Sequence, residues 1–361
     1  MNEGLEDVVA AQTVLSDVDG LAGRLIIRGL PLEALAGRMS YEEVLGLLWD
    51  GFFPDLPRDL RGPLGAARVA VYGMVERELP LLADRPVYDG VRALMARLPD
   101  GSDLDTALLL TAAPAVLLPA LIRLQGGDAS RAPDAVLGHA EDMLAMLGDA
   151  RPAPARAAAL DTYLVTVVDH GLNASTFTAR VIASTLAGLN SSVLGALGAL
   201  KGPRHGGALG PVLDMLDAIG TPDKAAAWIE NELTSGRRLM GFGHRIYRVR
   251  DPRADALKAA LDRLAESGAV DTTRIALAGH VEAEALAALK RHKPGRTLAT
   301  NVEFYPALLL EALGFPRATF TAIFAASRVG GWIAHAKEEA ANGRLIRPKS
   351  LYVGPMPMVA A

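Results

Sequence analysis

The sequence predicts an all-α fold, large enough for two domains. Three observations carry this. Apolar residues recur at helical spacing along most of the 361 residues, strand-like runs are confined to the first forty, and the loops between helical stretches are short.

In chain order, the lead-in has turn chemistry at Ser16-Asp17-Val18-Asp19-Gly20 and a short β-like run at Leu25-Ile26-Ile27, ended by Arg28-Gly29. Ser40-Tyr41-Glu42-Glu43 reads as a capping box, followed by Val44, Leu47 and Leu48 on one helical face. Residues 107–122 are almost wholly apolar, but the run is short for a membrane span and contains Pro114 and Pro119, so a buried core helix or helix pair is expected. Pro152 and Pro154 mark a loop over residues 151–156. Residues 160–200 are rich in Ala, Leu, Val and Thr, with Gly188, Gly195 and Gly198. They read as helix that is apolar nearly all round and therefore buried. Gly202-Pro203 and Gly206-Gly207 close that region. Residues 225–233 and 254–267 read as amphipathic helices. Asp271-Thr272-Thr273 caps another that runs toward Lys290, and residues 303–313 and 319–342 are two more. There is no internal repeat, low-complexity tract or sustained heptad.

Composition narrows the function classes. Half of the chain is hydrophobic and 22% is charged, which suits a folded protein. A formal net charge of -4 gives no general attraction to nucleic acid. The absence of cysteine excludes disulfides, thiolate nucleophiles and zinc–thiolate sites. The acidic start lacks the basic and apolar regions of a signal or transit peptide, so a cytoplasmic location is expected, with no membrane partner.

Three groups of residues have chemical character. Among seven histidines, His205 lies in Lys201-Gly202-Pro203-Arg204-His205-Gly206-Gly207-Ala208, and His244 in Met240-Gly241-Phe242-Gly243-His244-Arg245-Ile246-Tyr247. Glycine lets backbone approach a ligand and frees N–H groups to face it, so a histidine at such a turn can present a ring nitrogen to substrate. His170 lies in Val168-Asp169-His170-Gly171-Leu172-Asn173-Ala174-Ser175, while His139, His280, His292 and His335 read as structural, hydrogen-bonded residues. No histidine pair has the i, i+4 spacing of a zinc site, so no metal is expected.

The second group is arginines: Arg253 after Asp251-Pro252, Arg328 on an otherwise apolar helix, and Arg347 in Arg344-Leu345-Ile346-Arg347-Pro348. A guanidinium on an apolar helix needs an anion, either an internal carboxylate or a bound substrate carboxylate. The third is Glu303 in Asn301-Val302-Glu303-Phe304-Tyr305-Pro306. It reads either as a general base or as an ordinary helix-opening glutamate. Gly241-Phe242-Gly243 is an incomplete dinucleotide fingerprint, and there is no Gly-x-Ser-x-Gly elbow.

Together these segments resemble the citrate synthase family over nearly the whole chain. The match runs from Leu15-Ser16-Asp17-Val18-Asp19-Gly20 through the three histidine motifs and Asp251-Pro252-Arg253-Ala254 to Leu345-Ile346-Arg347-Pro348 and Tyr352-Val353-Gly354. The resemblance implies a large domain (residues 1–206 and 314–361), a small domain (207–313) that closes over the substrates, and a homodimer in which Arg347 reaches the other subunit's site. It implies the condensation of acetyl-CoA with oxaloacetate to citrate and CoA, with no cofactor beyond the acyl-CoA substrate. By the same resemblance His205, His244 and Glu303 would be catalytic. His170, Arg253, Arg328 and Arg347 would bind the oxo acid, and Gly241, Phe242, Gly243, Arg248, Arg296 and Asn301 would face CoA.

Three departures stand out. The family usually has Asp where this chain has Glu303, Glu where it has Gly171, and Asn-Glu where it has Leu209-Gly210. A 2-methylcitrate synthase using propionyl-CoA, and a weakly active or non-catalytic homologue that binds CoA or a dicarboxylate, are the alternatives.

Overall fold

A computed structural model describes residues 3–5, 8–149, 151–206, 210–243, 251–294 and 298–356. The described chain begins with a three-stranded antiparallel sheet, β1 (Ser16–Asp19), β2 (Arg24–Ile27) and β3 (Leu30–Pro31), paired in that order with Ser16 opposite Ile27 and Ile27 opposite Leu30. The turn expected over residues 16–20 thus begins later than the sequence suggests. Ser16 to Asp19 pair as a strand, and the Asp19 carboxylate turns the chain by accepting from the N–H groups of Leu21 and Ala22 at 3.1 and 2.8 Å.

Fifteen α-helices follow among the described residues. They are α1 (Leu32–Leu35), α2 (Tyr41–Trp49), α3 (Arg61–Val75), α4 (Val87–Met95), α5 (Leu104–Gln125), α6 (His139–Leu147), α7 (Pro154–Val167) and α8 (Ala174–Ala183). After them come α9 (Leu189–Leu200), α10 (Gly210–Ile219), α11 (Pro222–Thr234), α12 (Pro252–Glu266), α13 (Thr273–His292), α14 (Phe304–Ala312) and α15 (Phe320–Asn342). The capping box at α2 is formed: Ser40 Oγ accepts from Glu43 N at 3.2 Å, and the Glu43 carboxylate accepts from Ser40 N at 2.7 Å.

Two expectations are corrected. Pro154 opens α7 instead of breaking the chain, because a first-turn proline lacks only an N–H that has no helical partner. The apolar stretch over residues 160–200 is three helices. Asn173 caps α8 with its side chain, and Leu186 and Gly188, with φ of 63° and 102°, turn the chain into α9.

α5 is long and apolar enough to cross a membrane, yet 78% of an apolar 18-residue stretch within it is buried inside the fold, and the helix runs on through Pro114 and Pro119. It packs against α3, α4, α6, α9 and α15. α15, itself buried along most of its length, lies on α2, α5, α7, α8 and α9. α10 to α14 pack on one another, α11 with α13 and α12 with α14, and meet the rest through contacts that include those of α12 with α7 and α1 and of α14 with α7. α7, α15 and the ends of α12 and α14 therefore converge, and the chemical residues lie there.

Candidate active site

His205 sits in the turn after α9, its N–H donating to Gly202 O at 2.9 Å. Its ring Nε2 lies 2.8 Å from Ser175 Oγ and accepts from the Ser175 backbone N–H at 3.3 Å. A backbone N–H can only donate, so with Nε2 as its acceptor the neutral ring carries its proton on Nδ1; the same N–H is shared with Asn173 Oδ1 at 3.2 Å, and the one hydroxyl hydrogen of Ser175 faces both Asn173 Oδ1 and Nε2. Burial, then the positive charge of Arg328, push the His205 pKa down to about 4. His205 is therefore an uncharged imidazole with a donor nitrogen to offer. Ser175 is held in turn by Asn173 Oδ1 at 2.8 Å and by the indole N–H of Trp332 on α15 at 3.2 Å.

Arg328 is buried in the middle of α15. Its Nε donates to Val167 O, its guanidinium lies 4.7 Å from the Phe324 ring centre, and its NH1 is buried with no hydrogen-bond partner among the described residues. Burial lowers its pKa to about 10; Asp169 opposes this and Arg253 adds to it. Both anions that the sequence left open for Arg328 keep a place. Asp169 supplies an internal charge, and NH1 has a buried donor unspent.

Asp169 and His170 occupy the short connection between α7 and α8, both buried. Burial works to raise the Asp169 pKa, but the His335 ring, the Ser16 hydroxyl and Arg328 together hold it below the usual carboxylate range. Arg253, in the first turn of α12, forms a two-pronged pair with Asp251 at 3.0 and 2.8 Å, while Asp251 caps the helix by accepting from Arg253 N.

Glu303 stands at the start of α14, half-buried. Burial raises its pKa, and Asn301 and Arg253 partly offset the rise. Its position comes from a small antiparallel clasp between two distant segments. Gly243 N donates to Ala299 O at 2.8 Å, Asn301 N to Gly241 O at 2.9 Å, and Phe242 bridges to Thr300. The Asn301 amide then donates to Gly243 O at 2.7 Å and accepts from Glu303 N at 2.8 Å, so both of its ends hold the site's own backbone. Gly241, at φ 84°, has no room for a side chain, since a Cβ there would lie 2.8 Å from the Phe304 ring.

Electrostatics link these pieces. Arg328 acts on His205 and Asp169, and Arg253 acts on Arg328 and Glu303. The structure thus brings together His205, Glu303, Arg253, Arg328 and the segment bearing His170, with the clasp of Gly241, Phe242, Gly243 and Asn301 beside Glu303. Arg347 is not part of this cluster within its own chain. It lies exposed in the extended segment after α15, next to Ile346, whose N–H donates to Ser184 Oγ at 3.1 Å. His244, Arg248 and Arg296 lie outside the described residues. Sequence reasoning passed over Ser175, Asp169, Trp332 and His335. The first two stood inside the quoted His170 motif, and the others look like core residues of an apolar helix.

A base of raised proton affinity, a neutral donor and two buried guanidinium groups can remove a proton beside a carbonyl, stabilise the resulting oxyanion and hold an anionic second reactant.

Residues 4–349 match the family model described as "Citrate synthase, C-terminal domain". The chain is 38% identical to a citrate synthase of Haloferax volcanii, over 98% of this chain and 96% of that one. It is 36% identical to a 2-methylcitrate synthase of Mycobacterium tuberculosis, over 98% and 91%. Its fold is similar to that of Thermoplasma acidophilum citrate synthase in a ternary complex with carboxymethyl coenzyme A and oxaloacetate. The TM-score is 0.84 and the identity 28%, covering all of this chain and 98% of that one.

Proposed function

The chain belongs to the citrate synthase family and is an acyltransferase of that type, and we propose that it condenses acetyl-CoA with oxaloacetate and hydrolyses the product thioester to citrate and CoA. Glu303 takes the proton alpha to the thioester. His205 Nδ1–H holds the oxygen on which the enolate charge collects. The enol carbon attacks the keto carbon of oxaloacetate, whose oxygen takes a proton from His244. Water then cleaves the thioester and releases CoA. His170, Arg253 and Arg328, with Arg347 of a second subunit, hold the carboxylates of the oxo acid. Arg248, Arg296, Asn301 and the backbone from Gly241 through Phe242 to Gly243 meet CoA. The enzyme works as a cytoplasmic homodimer without a cofactor.

The observation that carries this reading is the opposed displacement of two proton affinities: burial raises that of Glu303 and lowers that of His205. It supports an active enzyme over a non-catalytic homologue, because it preserves a base–donor pair despite the change from Asp to Glu. The clasp around Asn301 fixes the backbone of Glu303, and we read the site as one that works with the longer side chain. E303A should then lose about a thousandfold in kcat, and E303D about a hundredfold from roughly 1 Å of lost reach. Turnover undiminished in E303A would remove Glu303 as the base.

Thiol release from acetyl-CoA and propionyl-CoA, each with and without oxaloacetate, tests the whole reading. Oxaloacetate-dependent release, faster with acetyl-CoA, is expected. Faster release with propionyl-CoA makes the enzyme a 2-methylcitrate synthase, the name its Mycobacterium tuberculosis relative carries. No release from either overturns the proposal.

A further inference from the structure

Arg328, Gly331 and His335 lie on one face of α15, at spacings of three and four residues. All three address the segment that leads into His170. Arg328 Nε donates to Val167 O. Gly331 lies so close to Val168 that a Cβ would stand 2.3 Å from its carbonyl oxygen. His335 Nε2 is 3.2 and 3.3 Å from the two carboxylate oxygens of Asp169. From the opposite side, Ser16 of β1 accepts from Gly171 N at 3.1 Å and hydrogen-bonds Asp169. The residues on both sides of His170 are thus gripped, one by α15 and the sheet together, the other by the sheet.

The His335 ring is itself fixed. Arg180 NH1 lies 3.0 Å from His335 Nδ1, and a guanidinium can only donate, so Nδ1 accepts and the N–H sits on Nε2, facing Asp169. The same NH1 also donates to Glu338 at 2.5 Å, and Arg180 Nε donates to Glu339 at 2.7 Å. All of these groups are buried.

We propose that His335 is a positioning residue of the oxo-acid subsite, holding His170 in place through Asp169 while Arg180 fixes its own ring. The proposal rests on the reading of His170 and Arg328 as that subsite. A group that orients a ligand-binding histidine is worth about 10–100-fold where such effects have been measured at metal sites.

Two amide variants separate positioning from mere filling of the core. Asparagine places its amide near the Nδ1 position and falls short of Asp169; glutamine reaches the Nε2 position and restores an N–H to Asp169. In the full-length enzyme, H335N should raise KM for oxaloacetate about tenfold or more while KM for acetyl-CoA stays within about twofold, and H335Q should recover most of the loss. Equal rises in both KM values, or an H335Q no better than H335N, would overturn the proposal. Should H335N not fold, S16A removes the second hold on Asp169 from a half-buried position. A selective rise in the oxaloacetate KM then supports the proposal, and an unchanged one overturns it. Wild-type turnover that does not depend on oxaloacetate instead removes the subsite reading itself, before any variant is made.

Discussion

Burial acts on His205 and Glu303 alike, yet it leaves one uncharged and makes the other a stronger base, because desolvation always disfavours the ionised form. The pH profile should carry both signatures. On the acid side kcat/KM should fall as Glu303 gains a proton, with a midpoint above that of ordinary glutamate, about 4.3. His205, pushed down to about 4, should add no ionisation between about pH 5 and 9. A limb near the ordinary histidine value that disappears in H205N would contradict the neutral-donor role. At this scale the sequence was informative where a motif concentrates unusual residues, as around His205, Glu303 and Arg253. It read His335 as a structural, hydrogen-bonded residue but gave no partner, because Asp169 is 166 residues away and the neighbours of His335 on α15 are those of any core helix.

The face of α15 that meets the His170 segment makes a second prediction. G331A should destabilise the protein by about 1–3 kcal/mol in denaturant melts, since the new methyl group meets a backbone carbonyl that cannot turn aside. G195A should cost less. Its Cβ would meet the tip of the Ile182 side chain at 2.1 Å, and a side chain can change rotamer. Equal losses in the two variants would mean that the α15 contact is not the rigid one. Most helices were legible as elements, because periodicity and caps such as Ser40 act locally. The division of residues 160–200 was not. Its breaks, residues 168–173 and 184–188, are short and carry polar residues and glycines, but the Ala, Leu, Val and Thr on either side keep one composition throughout, so composition over the whole stretch does not show where Asn173 caps one helix or where Leu186 and Gly188 turn into the next. The clasp that brings Gly243 to Asn301 joins segments 58 residues apart, and nothing local announces it.

For the molecule as a whole, the extended segment after α15 exposes Leu345, Leu351, Tyr352, Val353 and Met356 around Arg347. Such a run of apolar side chains suits a surface covered in an assembly, which supports the dimer reading. If Arg347 completes the site of a second subunit, E303A and R347A should each be nearly inactive alone. Unfolded and refolded together in equal amounts, they should regain about a quarter of wild-type activity, because half of the dimers are hybrids and each hybrid carries one intact site. No regain, with hybrids shown to form, would place Arg347 in its own chain's site. The buried ionic cluster has another consequence. Arg180 binds Glu338 and Glu339, Glu338 accepts from Val14 N at 2.7 Å, and Arg180 leads through His335 to Asp169. The penalty for keeping charges out of water falls on warming. The tie between the chain's beginning and the His170 segment is therefore least favourable in the cold, and this cluster by itself would make the enzyme sensitive to chilling before heat.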